Sequence, residues 1–226
     1  MLPRGRPGGH GAGPLPGTRP SPRGGLSRYG GRVQVEVLLT GIGGQGVQLC
    51  AKALAMAATA DGRQAMLSAH YGGEMRGGQT EASVVVADAG LRSLPILPSA
   101  GSAYVMHHAY WLPVRDRLRP GAPVVFNTTV IGPAEDLDGA ADFRTLGIPA
   151  TAMAAEAGAP MAAGFVLLGA FASVTSLASI DAIVAAMAEL VPPYRREHIR
   201  ANEIAIRSGA DAVESGTANL WAGARR

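Results

Sequence analysis

The sequence predicts an α/β protein with a doubly wound sheet and a helical C-terminal third. Three observations predict it. Apolar runs of strand length alternate with helix-length runs from residue 33 to about residue 150. A glycine loop joins the first strand to the first helix, as in a Rossmann-like fold. From about residue 151 onward, the apolar positions recur with helical spacing.

The elements are predicted in chain order from these patterns. Strands are expected at 33–40, 64–68, 80–87, 102–107, 122–127 and 142–146, and helices at 44–60, 111–118, 151–157, 161–175, 180–190 and 195–214. Asp61 and Gly62 are expected to end the first helix. Ser179, followed by Ile180 and Asp181, is typical of a helix N-cap with an acid in the first turn. A loop is expected at 69–79 and an irregular segment at 94–98.

Composition divides the chain into two parts. Residues 1–32 hold six arginines, ten glycines, six prolines and no acid, which predicts a disordered Arg/Gly/Pro-rich tail. Residues 33–226 are then expected to form one domain. Without the six tail arginines the formal charge of +3 becomes −3 for residues 33–226, which argues against a nucleic-acid-binding domain.

The sequence contains one cysteine and one uncharged stretch as long as a membrane span. The single cysteine, Cys50, excludes an intrachain disulfide and a four-cysteine iron–sulfur cluster held by this chain alone. It is expected to be a small buried hydrophobe in the first helix, in a reduced, cytoplasmic protein. Residues 161–180 carry no charge over twenty positions, but their serines and the cap at Ser179 favour two helices, one of them buried, over a membrane span.

The glycine loop reads Gly-Ile-Gly-Gly-Gln-Gly at 41–46. Such a loop between a strand and a helix lets the backbone approach a phosphate at the helix N-terminus. An NAD enzyme also needs an acid at the end of the second strand, and here that position is occupied by Ser68, Ala69 and His70. NAD binding is therefore disfavoured. The alternative interpretation is that the glycines only permit a tight strand–helix connection.

A second glycine-rich segment, Tyr-Gly-Gly-Glu-Met-Arg-Gly-Gly, follows at 71–78. Its glycines allow close approach of the backbone to a ligand or partner chain. Glu74 and Arg76 either pair with each other in solvent, or Arg76 faces an anion while Glu74 faces a partner or cofactor. His70 lies beside this segment and is a further candidate.

Other histidines are weaker candidates. His107 and His108 are expected in a strand, where neighbours point to opposite faces, so the pair is not expected to chelate one metal. His198 is expected on a solvated helix face. The sequence shows no metal constellation and no nucleophile–base pair with recognisable spacing.

Taken together, the motifs at 41–47 and 71–78 resemble those of the gamma subunit of 2-oxoacid:ferredoxin (acceptor) oxidoreductases. Family members usually have proline where this chain has Gly73. The resemblance covers about 33–215 and includes the strand at 83–88, the Arg-Pro-Gly turn at 119–121, the strand ending in Asn127 and the Leu-Gly-Ala element around Gly169. The chain departs from the family near Ser102, where the family often has Asp, and near Gly164, where it often has Asn.

The resemblance implies the chemistry and the partners. In this family thiamine diphosphate attacks a 2-oxoacid, carbon dioxide leaves, iron–sulfur clusters remove the electrons, and coenzyme A takes the acyl group. The gamma unit holds none of these cofactors alone; it completes a site made by alpha and beta subunits and helps to handle coenzyme A. A cluster-bearing ferredoxin-like subunit or domain and ferredoxin as acceptor are the other implied partners, with no nucleic acid and no membrane. The Arg-Gly-Gly ending resembles 2-oxoglutarate or branched-chain oxoacid units more than pyruvate units.

The candidate residues follow from both lines of reasoning. The catalytic candidates are Glu74, Arg76 and His70. The cofactor-binding candidates are Gly41, Gly43, Gly44, Gln45, Gly46, Tyr71, Gly77, Gly78 and, by resemblance, Asn127. Two alternatives remain: a stand-alone nucleotide-binding oxidoreductase, and an assembly partner whose glycine loops only make contacts.

Overall fold

A computed structural model describes residues 27–29, 32–71, 77–91 and 94–213. The strands are β1 (Ser27–Tyr29), β2 (Arg32–Ile42), β3 (Gln64–Tyr71), β4 (Gln79–Ala87), β5 (Ser102–Val105), β6 (Pro123–Asn127) and β7 (Arg144–Ile148). The α-helices are α1 (Val47–Ala60), α2 (Trp111–Arg115), α3 (Thr128–Ile131), α4 (Ala150–Glu156), α5 (Ala163–Thr175), α6 (Ile180–Leu190) and α7 (Ile199–Asp211). Short 3₁₀ turns include His108–Tyr110, Pro160–Ala162 and Pro193–His198.

The strands form one sheet in the order β3-β4-β2-β5-β6-β7, and β1 pairs with the start of β2. Strands β2, β5, β6 and β7 are parallel to one another, whereas β4 is antiparallel to both β2 and β3. Only seven residues separate β3 from β4, which is too few for the crossover that parallel neighbours require. The predicted doubly wound α/β class is confirmed, with a helical C-terminal third.

The larger core lies between one face of the sheet and helices α1, α4, α5 and α6, with α7 packed behind α5. Twelve of the thirteen residues of α5 are buried. The prediction of two helices within 161–180 is confirmed, and the Ser179 hydroxyl accepts the amide of Ala182 at 3.2 Å as the cap of α6. In the part of the chain that the structure describes, no helix is long and apolar enough to cross a bilayer.

The opposite face of the sheet carries a smaller core. Trp111 and Val114 of α2 pack there against Leu38, Val85 and other strand side chains. The irregular segment 94–98 crosses this face, with Leu97 buried and Leu94 and Ile96 exposed. The predicted irregular conformation of this segment is confirmed.

Several boundaries differ from the predictions. The loop predicted at 69–79 is shorter, because His70 pairs with Glu81 and Tyr71 with Thr80 in the β3–β4 ladder. The helix predicted from residue 195 begins as a 3₁₀ turn at Pro193, and α7 itself begins at Ile199. Arg195 has non-helical φ and ψ angles of −125° and 17°, which separate the 3₁₀ turn from the regular helix.

The N-terminal boundary also shifts. Residues 1–26 and 30–31, most of the predicted disordered tail, lie outside the described residues. Ser27–Tyr29 forms β1, which pairs Ser27 with Gln34 in β2, so regular structure begins before residue 33.

The expectation for His107 and His108 is wrong in its geometry. Strand β5 ends at Val105, and the chain turns into the His108–Tyr110 3₁₀ segment. The Nδ1 atom of His107 accepts the amide of Ala109 at 3.2 Å, which caps that turn. The two rings therefore stack, with centroids 4.4 Å apart, and do not point to opposite faces.

Candidate functional site

The glycine loop lies at the carboxyl end of β2, between Ile42 and the start of α1 at Val47. Strand β2 has the parallel strand β5 on one side and the antiparallel strand β4 on the other. Ligands of open α/β sheets bind at the carboxyl ends of strands where the topology changes. The position of the loop thus agrees with a binding site.

Three glycines of the loop are favoured over larger residues for different structural reasons. A side chain on Gly41 would lie 2.6 Å from Gln45 Oε1 and 2.9 Å from Val47 Cγ2, so the packing leaves it no space. Gly44 and Gly46 have φ angles of 101° and 73°, which only glycine adopts without strain. No atom would contact a Cβ on either residue, so both face open space.

Gln45 closes the loop on itself. Its side-chain oxygen accepts the amide of Ile42 at 2.9 Å, while its own amide donates to the carbonyl of Ile42 at 3.1 Å. A Cβ on Gly164, in α5, would lie 2.7 Å from the carbonyl oxygen of Gln45. The small residue at 164 therefore lets α5 pack directly against the loop.

The structure brings the two predicted glycine motifs together. The amide of Gly43 donates to the carbonyl of Gly78 at 2.9 Å, and a Cβ on Gly43 would lie 3.3 Å from the Gly77 nitrogen. Ile42 pairs with Gln79 in the ladder. Glu74 and Arg76 lie outside the described residues, and for His70 and Tyr71 the structure describes the backbone, which belongs to β3.

A cavity of about 750 Å³ opens beside the loop. Its walls come from the glycine loop, from the residues before and within the first turn of α5, and from the 3₁₀ turn that leads into α7. The lining residues include Gly44, Gly46, Leu49, Met161, Phe165, Val191, Tyr194, Arg195, Glu197, His198 and Asn202. The volume lies within the range of small-molecule and cofactor sites, roughly 300–1,000 Å³.

The cavity combines an apolar wall with a polar, exposed rim. Leu49, Phe165 and Val191 provide apolar surface. At the rim, Met161 and Tyr194 are 80% and 75% exposed. Such exposed Met and Tyr side chains suit a bound organic ligand or partner.

Charged groups also line this cavity. The Arg195 guanidinium lies 5.7 Å from the centroid of the Tyr194 ring, within cation–π range. His198 Nε2 lies 3.6 Å from Glu197 Oε1, and both side chains are exposed. The expectation of a solvated His198 is confirmed, although this residue also lines the cavity. Arg195 thus offers a cation to an anionic ligand group, whereas Glu197 offers the opposite charge.

Tyr194, Arg195 and Asn202 line the cavity but were not predicted as site residues. They lie about 150 residues from the glycine loop, and only the packing of α7 against α5 brings them to it. The available signal was an aromatic and two arginines directly after Pro192 and Pro193, at a place where prolines predict an exposed turn.

Asn127 has a structural role in this fold. Its side chain is fully buried at the end of β6. Its Nδ2 donates to Thr151 Oγ1 at 2.8 Å, and its Oδ1 accepts the amide of Thr151 at 3.3 Å, in the first turn of α4. These contacts hold the end of β6 against α4, and the cofactor-binding role of Asn127 stays a prediction.

Cys50 is buried, as predicted, and is not a nucleophile at ordinary pH. Burial raises the pKa of its thiol to about 12, although the contact with the Tyr104 hydroxyl partly opposes this shift. That hydroxyl lies 3.8 Å from the sulfur and donates to the carbonyl of Gly164 at 2.9 Å. Within 27–29, 32–71, 77–91 and 94–213, no group of three His, Cys, Asp or Glu residues could hold a metal ion.

Comparison with known sequences identifies the family. The family model described as pyruvate ferredoxin/flavodoxin oxidoreductase matches residues 36–212. The chain is 31% identical over 189 residues to the 2-oxoglutarate synthase subunit KorC of Methanothermobacter thermautotrophicus, covering 82% of this chain and 98% of that protein. It is 29% identical over 164 residues to the pyruvate synthase subunit PorC of the same organism, covering 70% and 86%.

Solved structures share the fold. The gamma subunit of a keto/oxoacid ferredoxin oxidoreductase from Geobacter sulfurreducens superposes with a TM-score of 0.67 at 23% identity, covering 79% of this chain and 95% of that chain. A 2-oxoglutarate:ferredoxin oxidoreductase from Magnetococcus marinus, solved with 2-oxoglutarate, coenzyme A and succinyl-CoA, gives 0.69 at 17% identity, covering 80% and 31%. The chain therefore belongs to the pyruvate ferredoxin/flavodoxin oxidoreductase family and has the fold of its gamma subunits.

Proposed function

We propose that this chain works in a thiamine diphosphate-dependent 2-oxoacid:ferredoxin (acceptor) oxidoreductase. The complex oxidatively decarboxylates a 2-oxoacid to acyl-CoA and carbon dioxide. This chain completes the active site, helps to bind coenzyme A and is inactive alone. The decarboxylation chemistry is supplied by thiamine diphosphate and the electron transfer by iron–sulfur clusters, all held by partner subunits. We further propose that the complex is cytoplasmic and passes its electrons to ferredoxin.

The cavity beside the glycine loop is the observation that carries the coenzyme A role. Coenzyme A has an anionic diphosphate, an adenine ring and a long, largely apolar pantetheine arm. The loop leads into the first turn of α1, where amides lack helical partners and suit phosphate oxygens. Leu49 and Phe165 offer apolar surface to the arm, and Tyr194 with Arg195 offers a ring and a cation. The coenzyme A bound to the Magnetococcus relative supports the same ligand class.

The second glycine motif is proposed to work at the same edge of the sheet. The Gly43–Gly78 bond attaches the end of that motif to the loop. Arg76 is proposed to face an anionic group, and Glu74 and His70 to face the reacting centre or a partner chain. The alpha and beta thiamine-binding subunits and a ferredoxin-like cluster subunit or domain are the proposed partners.

Affinity purification of the tagged chain from its native cells tests this function. We expect a thiamine-binding partner and a cysteine-rich cluster protein to co-purify. The eluate should then reduce ferredoxin or a dye when given a 2-oxoacid and coenzyme A, and a panel of oxoacids would identify the substrate. A chain that purifies alone with a bound dinucleotide would instead support a stand-alone nucleotide-binding oxidoreductase and overturn the proposal.

A further inference from the structure

An ion pair lies under the edge of the glycine-loop site, on the opposite face of the sheet from the cavity. Arg117 Nη1 donates to both carboxylate oxygens of Glu81, at 2.7 and 3.0 Å. The Glu81 side chain is 11% exposed and that of Arg117 is 29% exposed. A pair this sheltered from water holds its geometry better than a surface pair does.

Arg117 also fastens a second segment. Its Nε and Nη2 donate to the carbonyl of Leu97 at 3.3 and 3.0 Å. The guanidinium thus joins the residues after α2, the segment 94–98 and the start of β4. Its planar fork supplies the donors of all four hydrogen bonds, which a lysine ammonium cannot reproduce in the same geometry.

Glu81 connects this pair to the glycine loop. Its carbonyl accepts Gln48 Nε2 of α1 at 2.8 Å, and Glu81 stands opposite Thr40 in the β2–β4 ladder. Three residues earlier, the carbonyl of Gly78 accepts the amide of Gly43. The backbone of Glu81 therefore holds β4 against both ends of the loop, namely the end of β2 and the first turn of α1.

The chain contains a matched pair farther from the loop, near the middle of β2. Arg119 Nη2 lies 2.5 Å from Glu36 Oε2, with side chains 27% and 7% exposed. Arg119 is two residues from Arg117, and Glu36 lies on the same face of the sheet as Glu81. Glu36 precedes Thr40 by four residues, which places it roughly 13 Å farther from the loop along β2. This pair shares the chemistry and burial of the first but not its position.

From this arrangement we propose that Glu81 and Arg117 form a positioning pair for the glycine loop. The pair holds the start of β4, and through β4 and Gln48 it sets where the loop presents its backbone to coenzyme A. The role at coenzyme A rests on the proposed function; the role in holding the loop does not. Neither residue contacts the ligand, so both act through the loop.

The test compares Arg117→Lys and Glu81→Gln with Arg119→Lys and Glu36→Gln in the purified complex. For the first pair we expect the KM for coenzyme A to rise about tenfold, as a small misplacement of a binding group does. The kcat and the KM for the 2-oxoacid should change little. The variants at Arg119 and Glu36 should keep the KM for coenzyme A, even if their melting temperatures fall as much. Equal KM changes in both pairs, or no change in either while Gly44→Ala does raise the KM for coenzyme A, would overturn the proposal.

Hydrogen exchange on the full chain provides a readout that needs neither partners nor coenzyme A. The Gly43 amide is bonded to Gly78, so its exchange should accelerate about tenfold in Glu81→Gln and stay unchanged in Glu36→Gln. Unchanged exchange at Gly43 would contradict the positioning role.

The variant Gly44→Ala distinguishes failure of the proposed coenzyme A role from failure of the positioning pair. If Gly44→Ala leaves the KM for coenzyme A unchanged, the proposed coenzyme A role fails, and exchange at Gly43 still decides the positioning pair. If Gly44→Ala raises that KM but Arg117→Lys and Glu81→Gln do not, only the positioning inference fails. Glu81→Gln keeps the shape of the side chain and serves if Arg117→Lys does not assemble.

Discussion

The amide of Gly43 and the carbonyl of Gly78 are joined by a 2.9 Å hydrogen bond, which links two glycine motifs that begin thirty residues apart. Antiparallel pairing of β2 with β4 makes this contact possible, since it returns the chain from the second motif alongside the end of β2. The two motifs therefore lie together at one edge of the sheet, and a substitution in one motif should alter the conformation of the other.

The glycine loop offers a controlled test of its conformation. Gly44 and Gly62 have φ angles of 101° and 82°, and a Cβ on either would meet no atom within 4 Å. Alanine at each position should cost about 1–2 kcal/mol in the free energy of unfolding, because the left-handed region is strained for L-residues. Only Gly44 lines the cavity. Thermal unfolding should thus show similar losses for Gly44→Ala and Gly62→Ala.

Steady-state kinetics of the complex should separate the same two variants. Gly44→Ala is expected to raise the KM for coenzyme A about tenfold if the backbone shifts to relieve strain of this size. Gly62→Ala should leave the KM for coenzyme A unchanged, because Gly62 lies after the far end of α1. An identical KM for both variants would contradict a coenzyme A site at the loop.

Arg76→Ala should reduce turnover while the complex still assembles. The reason is that an arginine facing an anion contributes about 1.5–3 kcal/mol, or tenfold to a hundredfold in rate or affinity. Arg200→Ala is a suitable control, because the Arg200 side chain is 75% exposed and, among the described residues, pairs with Glu203 of the same helix. Size-exclusion chromatography checks assembly, and oxoacid-dependent dye reduction checks turnover. Full turnover in Arg76→Ala would exclude this arginine from the site.

Two glycines set the crossing of α5 and α7. A Cβ on Gly169 would collide with the carbonyl of Ile206, and one on Gly209 would collide with the carbonyl of Val166. Gly169→Ala or Gly209→Ala should therefore destabilise the chain by about 3 kcal/mol, the upper end of overpacking costs. Ser208→Ala, beside Gly209, should stay within about 0.5 kcal/mol. Urea unfolding measures all three.

The double variant of these glycines tests whether they share one contact. The first alanine should move the two helices apart, so the second alanine should cause a smaller steric clash. The double variant should therefore lose less free energy of unfolding than the sum of the two single variants. Additive losses would show that the two positions act independently.

Local sequence signals predicted the parts of this fold that depend on local chemistry. The Ser179 cap, the end of α1 at Asp61 and the burial of Cys50 all follow from side-chain chemistry within a few residues, and all are confirmed. The end of β5 was harder to predict, because the apolar run in the sequence continues through Met106 while the strand pairing stops at Val105. Only tertiary packing decides where that strand ends, and the His107–His108 stack follows from it.

The candidate site likewise contains some residues that the sequence predicts and others that only the tertiary structure reveals. The glycines were predictable, because their spacing records the backbone geometry of a strand–helix turn. Tyr194 and Arg195 were not, since they reach the cavity through the packing of α7 on α5. Arg117 and Glu81 likewise carry no local signal, because their pairing depends on the register of β4 in the sheet.

Cys50 should react with thiol reagents only when the chain unfolds. Burial raises its pKa from 9.0 to about 12, so at pH 8 the folded protein has about a thousandfold less thiolate than the unfolded chain. Labelling with a thiol reagent at pH 8 should follow the unfolding curve in urea. Rapid labelling of the native protein would contradict the burial of this thiol beside Tyr104.

The same pKa shift predicts a loss of stability at alkaline pH. Because the folded-state pKa is the higher one, the contribution of the protonated thiol is complete below about pH 9 and is lost as the pH rises toward 12. Over that window the free energy of unfolding should fall by up to about 1.4 kcal/mol per pH unit from this group. Cys50→Ala removes the titrating group, so its stability deficit against the parent chain should narrow above pH 9. A constant deficit from pH 8 to pH 11 would show that Cys50 does not titrate differently in the folded and unfolded states.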